Sequence, residues 1–227
     1  GGFSTAGDYF CRSIFMDGVT RRFPELNFAF LEGGVGWAVQ LYNDLFEHWE
    51  KRNYEFMIEN LDPAKLDTDL IREMAEKYGD GIITADALLV ERKTSQMGGD
   101  VGSDIELDEF RRCEITKKED IRELFVEPFY FGCEADDAMN AIAFNTKINH
   151  YGIRLKAFFG SDIGHWDVED IRHCVPDAYK NVEKELFTDQ DFEDFMFTHP
   201  VGLYTRQNPE FFKGTIVEDQ VNQLLAG

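Results

Sequence analysis

Three short apolar segments have the pattern of buried parallel strands. They cover residues 26–31, 129–131 and 155–159. Each is a nearly uninterrupted apolar run that meets glycine or polar residues at its C-terminal end, which is typical of a strand covered on both faces. We therefore predict one strand in each segment.

A clear helix pattern follows the first predicted strand. Large apolar residues recur there at four-residue intervals, at Trp37, Leu41, Leu45 and Trp49. Residues at this spacing form one apolar stripe along a helix. We expect this helix to lie against the sheet.

Weaker helix patterns follow the other two strands. After the second strand, Asp136 and Asp137 predict the capped start of a helix that includes Ile142. After the third, Val168 and Ile171 predict a short helix that is interrupted near Pro176. A strand followed by a helix, three times over, predicts an α/β fold with a parallel sheet.

Further helices are predicted outside these three units. One covers residues 9–22, before the first strand. Thr188, with Asp191 three residues later, predicts a capped helix that ends just before Pro200.

The acidic stretch from about 60 to 127 fits the alternation of strands and helices badly, and we interpret it as an insertion between strands. It contains a glycine turn at Gly98-Gly99 and a capped helix start at Thr116 and Glu119.

Composition and charge exclude several classes of protein. The chain has 44 acidic and 23 basic side chains, a formal charge of −21, which repels a phosphate backbone and predicts no nucleic-acid partner. No apolar run approaches the roughly 18 residues of a membrane span. Four dispersed cysteines without a CxxC pair argue against a zinc ribbon or a disulfide scaffold. We expect a cytoplasmic protein.

The candidate chemistry lies where the predicted strands end. In parallel α/β folds, working groups sit at the C-terminal ends of strands, and Glu32, Glu134 and Asp162 occupy those positions. Three residues after Asp162 come His165 and Trp166. A carboxylate placed like Asp162 can bind a divalent metal or accept a proton from water.

Several of these segments, in chain order, resemble the amidohydrolase-related family of metal-dependent (β/α)8, or TIM-barrel, enzymes, which includes aminocarboxymuconate-semialdehyde-type decarboxylases. The segments are Phe23-Pro24-Glu25-Leu26 with Phe30-Leu31-Glu32-Gly33-Gly34-Val35-Gly36-Trp37, then Phe159-Gly160-Ser161-Asp162 with His165-Trp166-Asp167, then Asn208-Pro209-Glu210-Phe211-Phe212. The resemblance implies that the chain forms strands six to eight of such a barrel, with their helices and a helical insertion.

The resemblance also implies roles for individual residues. Asp162 matches the family's aspartate after the eighth strand, a metal ligand and proton acceptor. Glu32 stands where many relatives have a catalytic histidine, so this position departs from the family pattern. We predict Glu32 as a second catalytic residue, whose carboxylate could bind metal or substrate. His165, Trp166 and Glu134 are the expected substrate contacts.

The activity implied is that of a hydrolase that uses a divalent metal, zinc by default, to activate water against a C–N or C–O bond of a small organic substrate. A decarboxylase of the same family is one alternative, and a non-catalytic remnant or binding module is another. The family's His-x-His pair and its later strand-end histidine have no counterpart in this sequence. The chain alone is therefore expected to be inactive, and an open sheet edge to favour aggregation or homo-oligomers.

Each candidate also has a purely structural interpretation. Asp162, Glu32 and Glu134 could cap helices or pair with cations, and His165 and Trp166 could pack on the barrel rim. His173 is interpreted as a surface or packing residue, and His199 as the end of a helix.

Overall fold

The computed structural model describes residues 2–90 and 108–227, so the predicted Gly98-Gly99 turn lies outside the described residues. The chain forms two compact units. The first comprises Gly1–Phe46 with Ile115–Gly227, and the second comprises Glu47–Glu114. The first unit contains the sheet.

Three parallel strands form this sheet: β1 (Phe28–Phe30), β2 (Phe129–Glu134) and β3 (Lys156–Gly160). Their order is β1-β2-β3, and both neighbouring pairs are parallel. The three predicted strands and the α/β class are thus confirmed. β1 is shorter than predicted, because Leu26 closes a turn in which its N–H bonds the carbonyl of Phe23 at 3.1 Å. β2 is longer and ends at Glu134.

The α-helices, in chain order, are α1 (Gly2–Met16), α2 (Val19–Arg22), α3 (Gly36–Arg52), α4 (Tyr54–Phe56), α5 (Thr68–Tyr78), α6 (Ala85–Val90), α7 (Lys118–Val126), α8 (Cys174–Glu183), α9 (Asp189–Glu193), α10 (His199–Thr205) and α11 (Glu218–Ala226). Single turns of π-helix cover Met57–Leu61 and Asp194–Thr198, and 3-10 helices cover Pro63–Lys65, Ala138–Phe144 and His150–Gly152. The predicted helix over 9–22 is therefore two helices, α1 and α2, separated at Gly18, which has a φ of 70°.

One face of the sheet is covered by aromatic side chains. The register pairs Phe28 with Phe129 and Phe30 with Phe131, so these alternate residues project from the same face. Helices α3 and α7 pack on that face, where the Trp37 ring meets Phe30 and Phe131 edge-on at 5.5 Å, and Phe125 meets Phe129 at 5.0 Å. Such edge-to-face pairs add to the free energy gained by burying the rings.

The connections after β2 and β3 differ from those predicted. The segment after Glu134 is a 3-10 helix, Ala138–Phe144, rather than an α-helix, although Asp137 caps it as expected by accepting from the Met139 N–H at 2.9 Å. The helix predicted from Val168 and Ile171 does not begin there, since Val168 has no regular structure and Ile171 lies in a turn. The helix starts at Cys174 and is not interrupted near Pro176, which lies in its first turn. Asp170 stabilises the turn at Ile171 by accepting from the Arg172 N–H at 3.0 Å.

Two predicted caps have different outcomes. The Thr188 and Asp191 capping box is present at the start of α9. At the start of α7 the cap carboxylate is Asp120 rather than Glu119, because Asp120 accepts from the Thr116 and Lys117 N–H groups at 2.9 and 3.2 Å. These bonds help to lower the pKa of Asp120 against the opposing effect of burial.

The helical segment from α9 does not end before Pro200. It continues through the π-turn into α10, with Pro200 in the first turn of that helix. His199 is the first residue of α10 and lies inside this continuous helical segment rather than at its end. Its ring nitrogen Nδ1 lies 2.7 Å from the carbonyl oxygen of Ala157 in β3, and the Ala157 N–H bonds Leu155.

The second unit contains the end of α3 together with α4, α5 and α6. Within it, Glu109 pairs with Arg52 at 3.0 Å and with His48, and the hydrogen bond to His48 is the largest cause that lowers the Glu109 pKa. The insertion predicted at about 60–127 overlaps this unit, whose bounds are Glu47–Glu114. Helix α7 belongs instead to the unit that holds the sheet. In the described parts of the chain, no helix is long and apolar enough to cross a membrane.

The contact between α1 and Trp37 gives a test of this packing. A Cβ added at Gly7 would lie 2.9 Å from Cζ2 of Trp37, whereas one added at Gly2 would meet nothing within 4 Å. We expect Gly7→Ala to lower the free energy of unfolding by about 1–3 kcal/mol through overpacking, and Gly2→Ala, in the same helix, to leave it nearly unchanged. Urea denaturation measures both. Equal stability of the two variants would contradict the packing described.

Candidate functional site

A cleft of about 350 Å³ opens at the C-terminal ends of β2 and β3. Glu134, the last residue of β2, and Asp162, two residues beyond β3, both line it. The described lining contains acidic residues and one histidine, but neither lysine nor arginine. The acidic residues are Glu134, Asp136, Asp162, Asp167, Glu169, Asp170 and Asp177.

The backbone after β3 holds Asp162 in an unusual conformation. Its φ is 50°, in the left-handed region that L residues adopt rarely, although aspartate tolerates it better than most. A turn follows, in which the His165 N–H donates to the Asp162 carbonyl at 2.9 Å. Gly160 leaves room for this geometry, since a Cβ there would lie 3.2 Å from the Cys133 carbonyl oxygen and 3.9 Å from Oδ1 of Asp162.

Burial and acidic neighbours in and beside the cleft raise the pKa of the Glu134 carboxyl group. Its pKa is raised, first by desolvation and then by the charges of Asp162, Asp167, Glu32 and Asp136. Like charges close together disfavour the ionised form of a carboxyl group. Glu134 therefore holds its proton to a higher pH than an isolated glutamate.

Glu32 lies after β1, outside the lining of the cleft, and is exposed. Its charge nevertheless acts on Glu134, which places the ends of β1 and β2 close together. The loop geometry agrees, because a Cβ at Gly34 would lie 3.6 Å from Oδ2 of Asp137. Glu32 also has a positive φ, 61°, which strains a glutamate backbone.

His165 and Trp166 lie in the loop beyond Asp162. Nδ1 of His165 is 3.7 Å from Oδ2 of Asp162, too long for a hydrogen bond. The Trp166 side chain is 94% exposed. Neither residue is among the described residues that line the cleft.

Several residues of the cleft are not predicted from the sequence. Asp136 is predicted only as a helix cap and His173 only as a surface or packing residue, yet both line the cleft, as do Cys174 and Asp177 in α8. The available signal was the density of acidic residues between 162 and 177. This signal does not show which side chains turn toward β2.

A complete metal site is not formed by the described residues. In residues 2–90 and 108–227, no three His, Cys, Asp or Glu side chains form a group that could hold a metal ion. A divalent metal in a protein usually needs three or four ligands. Asp162 and Glu134 could supply part of such a set but do not by themselves complete it.

The chain matches no family model, no curated protein and no solved structure. The resemblance to amidohydrolase-related proteins therefore rests on the sequence motifs described above.

The acidic surroundings of Glu134 predict how stability depends on pH. Because the folded-state pKa is raised, ionisation of Glu134 destabilises the fold as pH rises from the unfolded-state pKa through the folded one. We expect Glu134→Gln to raise the free energy of unfolding at pH 7, by less than about 1 kcal/mol because solvent screens this exposed group. The gain should vanish below about pH 4, where the carboxyl is protonated in both states.

Urea denaturation at several pH values measures this effect, with Glu25→Gln as the control. Glu25 precedes β1, at the opposite end of the sheet, and is exposed. A gain that is independent of pH, or equal in the two variants, would contradict the electrostatic explanation.

The backbone strain at Glu32 predicts an inverted order of two substitutions. Glycine adopts a positive φ without steric cost, so Glu32→Gly should be more stable than Glu32→Ala by about 1 kcal/mol. At Glu50, within α3, the order should reverse because glycine is unfavourable in a helix by about 1 kcal/mol. Thermal or urea unfolding of the four variants tests whether the glycine variant is the more stable one at position 32 and the less stable one at position 50.

Proposed function

We propose that this chain contributes the site-bearing part of a metal-dependent hydrolase that activates water against a C–N or C–O bond of a small organic substrate. In this proposal Asp162 is the metal ligand and proton acceptor. Glu134 contacts the substrate, and Glu32 is a second catalytic carboxylate whose charge acts on Glu134 from the neighbouring strand end. His165 and Trp166, in the loop beyond Asp162, are proposed as further substrate contacts.

One observation carries the proposal. Two carboxylates, Glu134 and Asp162, leave adjacent parallel strands at their C-terminal ends and line the same cleft. This is where α/β enzymes place their catalytic groups. The raised pKa of Glu134 adds support, since carboxyl groups with perturbed pKa values in a cleft are common at catalytic sites.

The barrel part of the proposal is supported by strand order. Each strand pairs with the strand next along the chain, in the order β1-β2-β3, as in a barrel wound in one direction. We propose that these strands correspond to strands six to eight of a (β/α)8 barrel.

The charge of the cleft favours hydrolysis over decarboxylation. A decarboxylase must bind the carboxylate of its substrate, and the described lining offers acidic groups and His173 but no lysine or arginine for that purpose. A neutral amide or lactone meets no such repulsion. We therefore propose a neutral or cationic substrate rather than an organic acid.

The proposed cofactor is a divalent metal, with zinc as the default. Asp162 would be one of its ligands, and the described residues do not form a complete site. When bound, such a metal lowers the pKa of a coordinated water. The protein's own contribution is the Asp162 carboxylate, which can accept a proton from water and return it to the leaving group.

The test uses the full-length product of the gene and a panel of small amides and lactones. We expect turnover that depends on added Zn²⁺ and places oxygen from labelled water in the product. Asp162→Asn should lower kcat at least about a hundredfold, the usual contribution of general acid–base catalysis. The matched control is Asp80→Asn, because Asp80 also has a positive φ, 48°, but lies in the second unit.

Three outcomes would contradict the proposal. Release of carbon dioxide without incorporation of water oxygen would identify a decarboxylase. Unchanged turnover in Asp162→Asn would remove that residue from the site. Tight binding of a small molecule without any turnover would identify a binding module.

A further inference from the structure

We infer that helix α8 positions the two strand-end loops that carry Glu134 and Asp162, through the buried side chains of Asn181 and Cys174. This inference rests on the proposed function for its catalytic meaning. The contacts themselves are independent of any activity. They involve backbone carbonyls that lie beside both carboxylates.

The loop after β2 is held by two fully buried amides. Asn181, on α8, donates from Nδ2 to the carbonyls of Ala135 and Asp137 at 3.4 and 3.5 Å. Asn140 donates from Nδ2 to the carbonyl of Glu134 at 2.8 Å. Both asparagine side chains are 0% exposed. The backbone carbonyls of Glu134, Ala135 and Asp137 are therefore hydrogen-bonded by side chains of two elements, the 3-10 helix that follows β2 and α8.

Stability alone does not explain these asparagines. Oδ1 of Asn181 and Oδ1 of Asn140 are buried without a hydrogen-bond partner in the described structure. A buried polar atom without a partner destabilises a fold, and an apolar side chain of similar size would avoid that cost. At Asn181 the two donated bonds are also long. What these amides provide is the position of the loop.

The other end of α8 contacts the loop after β3. Cys174 precedes Asn181 by seven residues, which places both on one face of the helix about 10 Å apart. Its Sγ lies 3.6 Å from the carbonyl of Ser161, the residue before Asp162. One rigid helix thus spans both loops and sets the distance between them.

Positioning is needed here because the carboxylates repel one another. The charges of Glu32, Asp136, Asp162 and Asp167 all act on Glu134, and loops free to move would separate to reduce that repulsion. Asn181 and Cys174 act through the loops, so they are positioning residues rather than catalytic ones.

The test compares Asn181→Leu with Asn149→Leu by amide hydrogen exchange and thermal unfolding. The N–H groups of Met139 and Asn140 both bond to Asp137, so their exchange reports whether Asp137 is held. We expect Asn181→Leu to keep or raise the Tm and to speed exchange at these two amides roughly tenfold. Amides within β2 should exchange as before.

Asn149 is the matched control. It is also buried and donates to the carbonyls of Ile142, Ala143 and Ile153, but its Oδ1 has a partner, Nδ2 of Asn43. Asn149→Leu should lower the Tm and speed exchange at Asn145, whose N–H bonds the Ile142 carbonyl, more than at Met139 and Asn140. Failure of Asn181→Leu to fold, or unchanged exchange at Met139 and Asn140, would overturn the inference.

Cys174→Ala tests the other end of the helix. The His165 N–H bonds the Asp162 carbonyl. We therefore expect Cys174→Ala to speed exchange of the His165 amide and to leave the exchange rate of the Met139 amide unchanged. If the proposed hydrolase activity exists, Asn181→Leu should lower kcat with little change in KM. If it does not exist, the exchange results still decide the positioning role.

Discussion

The structure depends on the parallel pairing of β1, β2 and β3 with an aromatic face. Phe28, Phe30, Phe129 and Phe131 project from one side because the register aligns them, and packing of these rings under α3 and α7 holds β1 and β2 together. β3 is held by its backbone pairing with β2 and by the contact of Phe159 with Phe195. Since the strands are parallel, all their C-terminal ends lie at the same edge of the sheet. The position of Glu134 and Asp162 in one cleft follows from this pairing.

The strand-end loops contain strained backbone conformations and like charges that lie close together. Neither feature stabilises the folded state. Glu32 and Asp162 have positive φ angles, Glu134 lies among like charges, and two buried amide oxygens lack partners. Each feature disfavours folding, so the rest of the fold supplies the stability that these loops lack. Comparable features also occur elsewhere in the described residues, since Asp80 and Tyr151 have positive φ angles and Oδ1 of Asn27 is buried without a hydrogen-bond partner.

The elements that sequence predicted well are those set by local pattern. The three strands are short apolar runs, and α3 has an apolar stripe, so both periodicities were visible. The 3-10 helix at Ala138–Phe144 and the non-helical backbone at Val168 and Ile171 were not, because a few apolar residues at three- or four-residue spacing fit several conformations. For the candidate site, Glu134 and Asp162 could be placed from the strand ends. The turn of Asp170 and His173 toward the cleft depends on how α8 packs, which no local pattern records.

The contact between His199 and β3 has a consequence for how this sheet can grow. Both backbone groups of Ala157 are engaged away from β2, its N–H by Leu155 and its carbonyl by the imidazole. A further strand can therefore join this side of β3 only beyond Ala157, unless the ring swings aside. The imidazole therefore restricts the register in which another strand, from this protein or from a neighbouring molecule, can pair with β3.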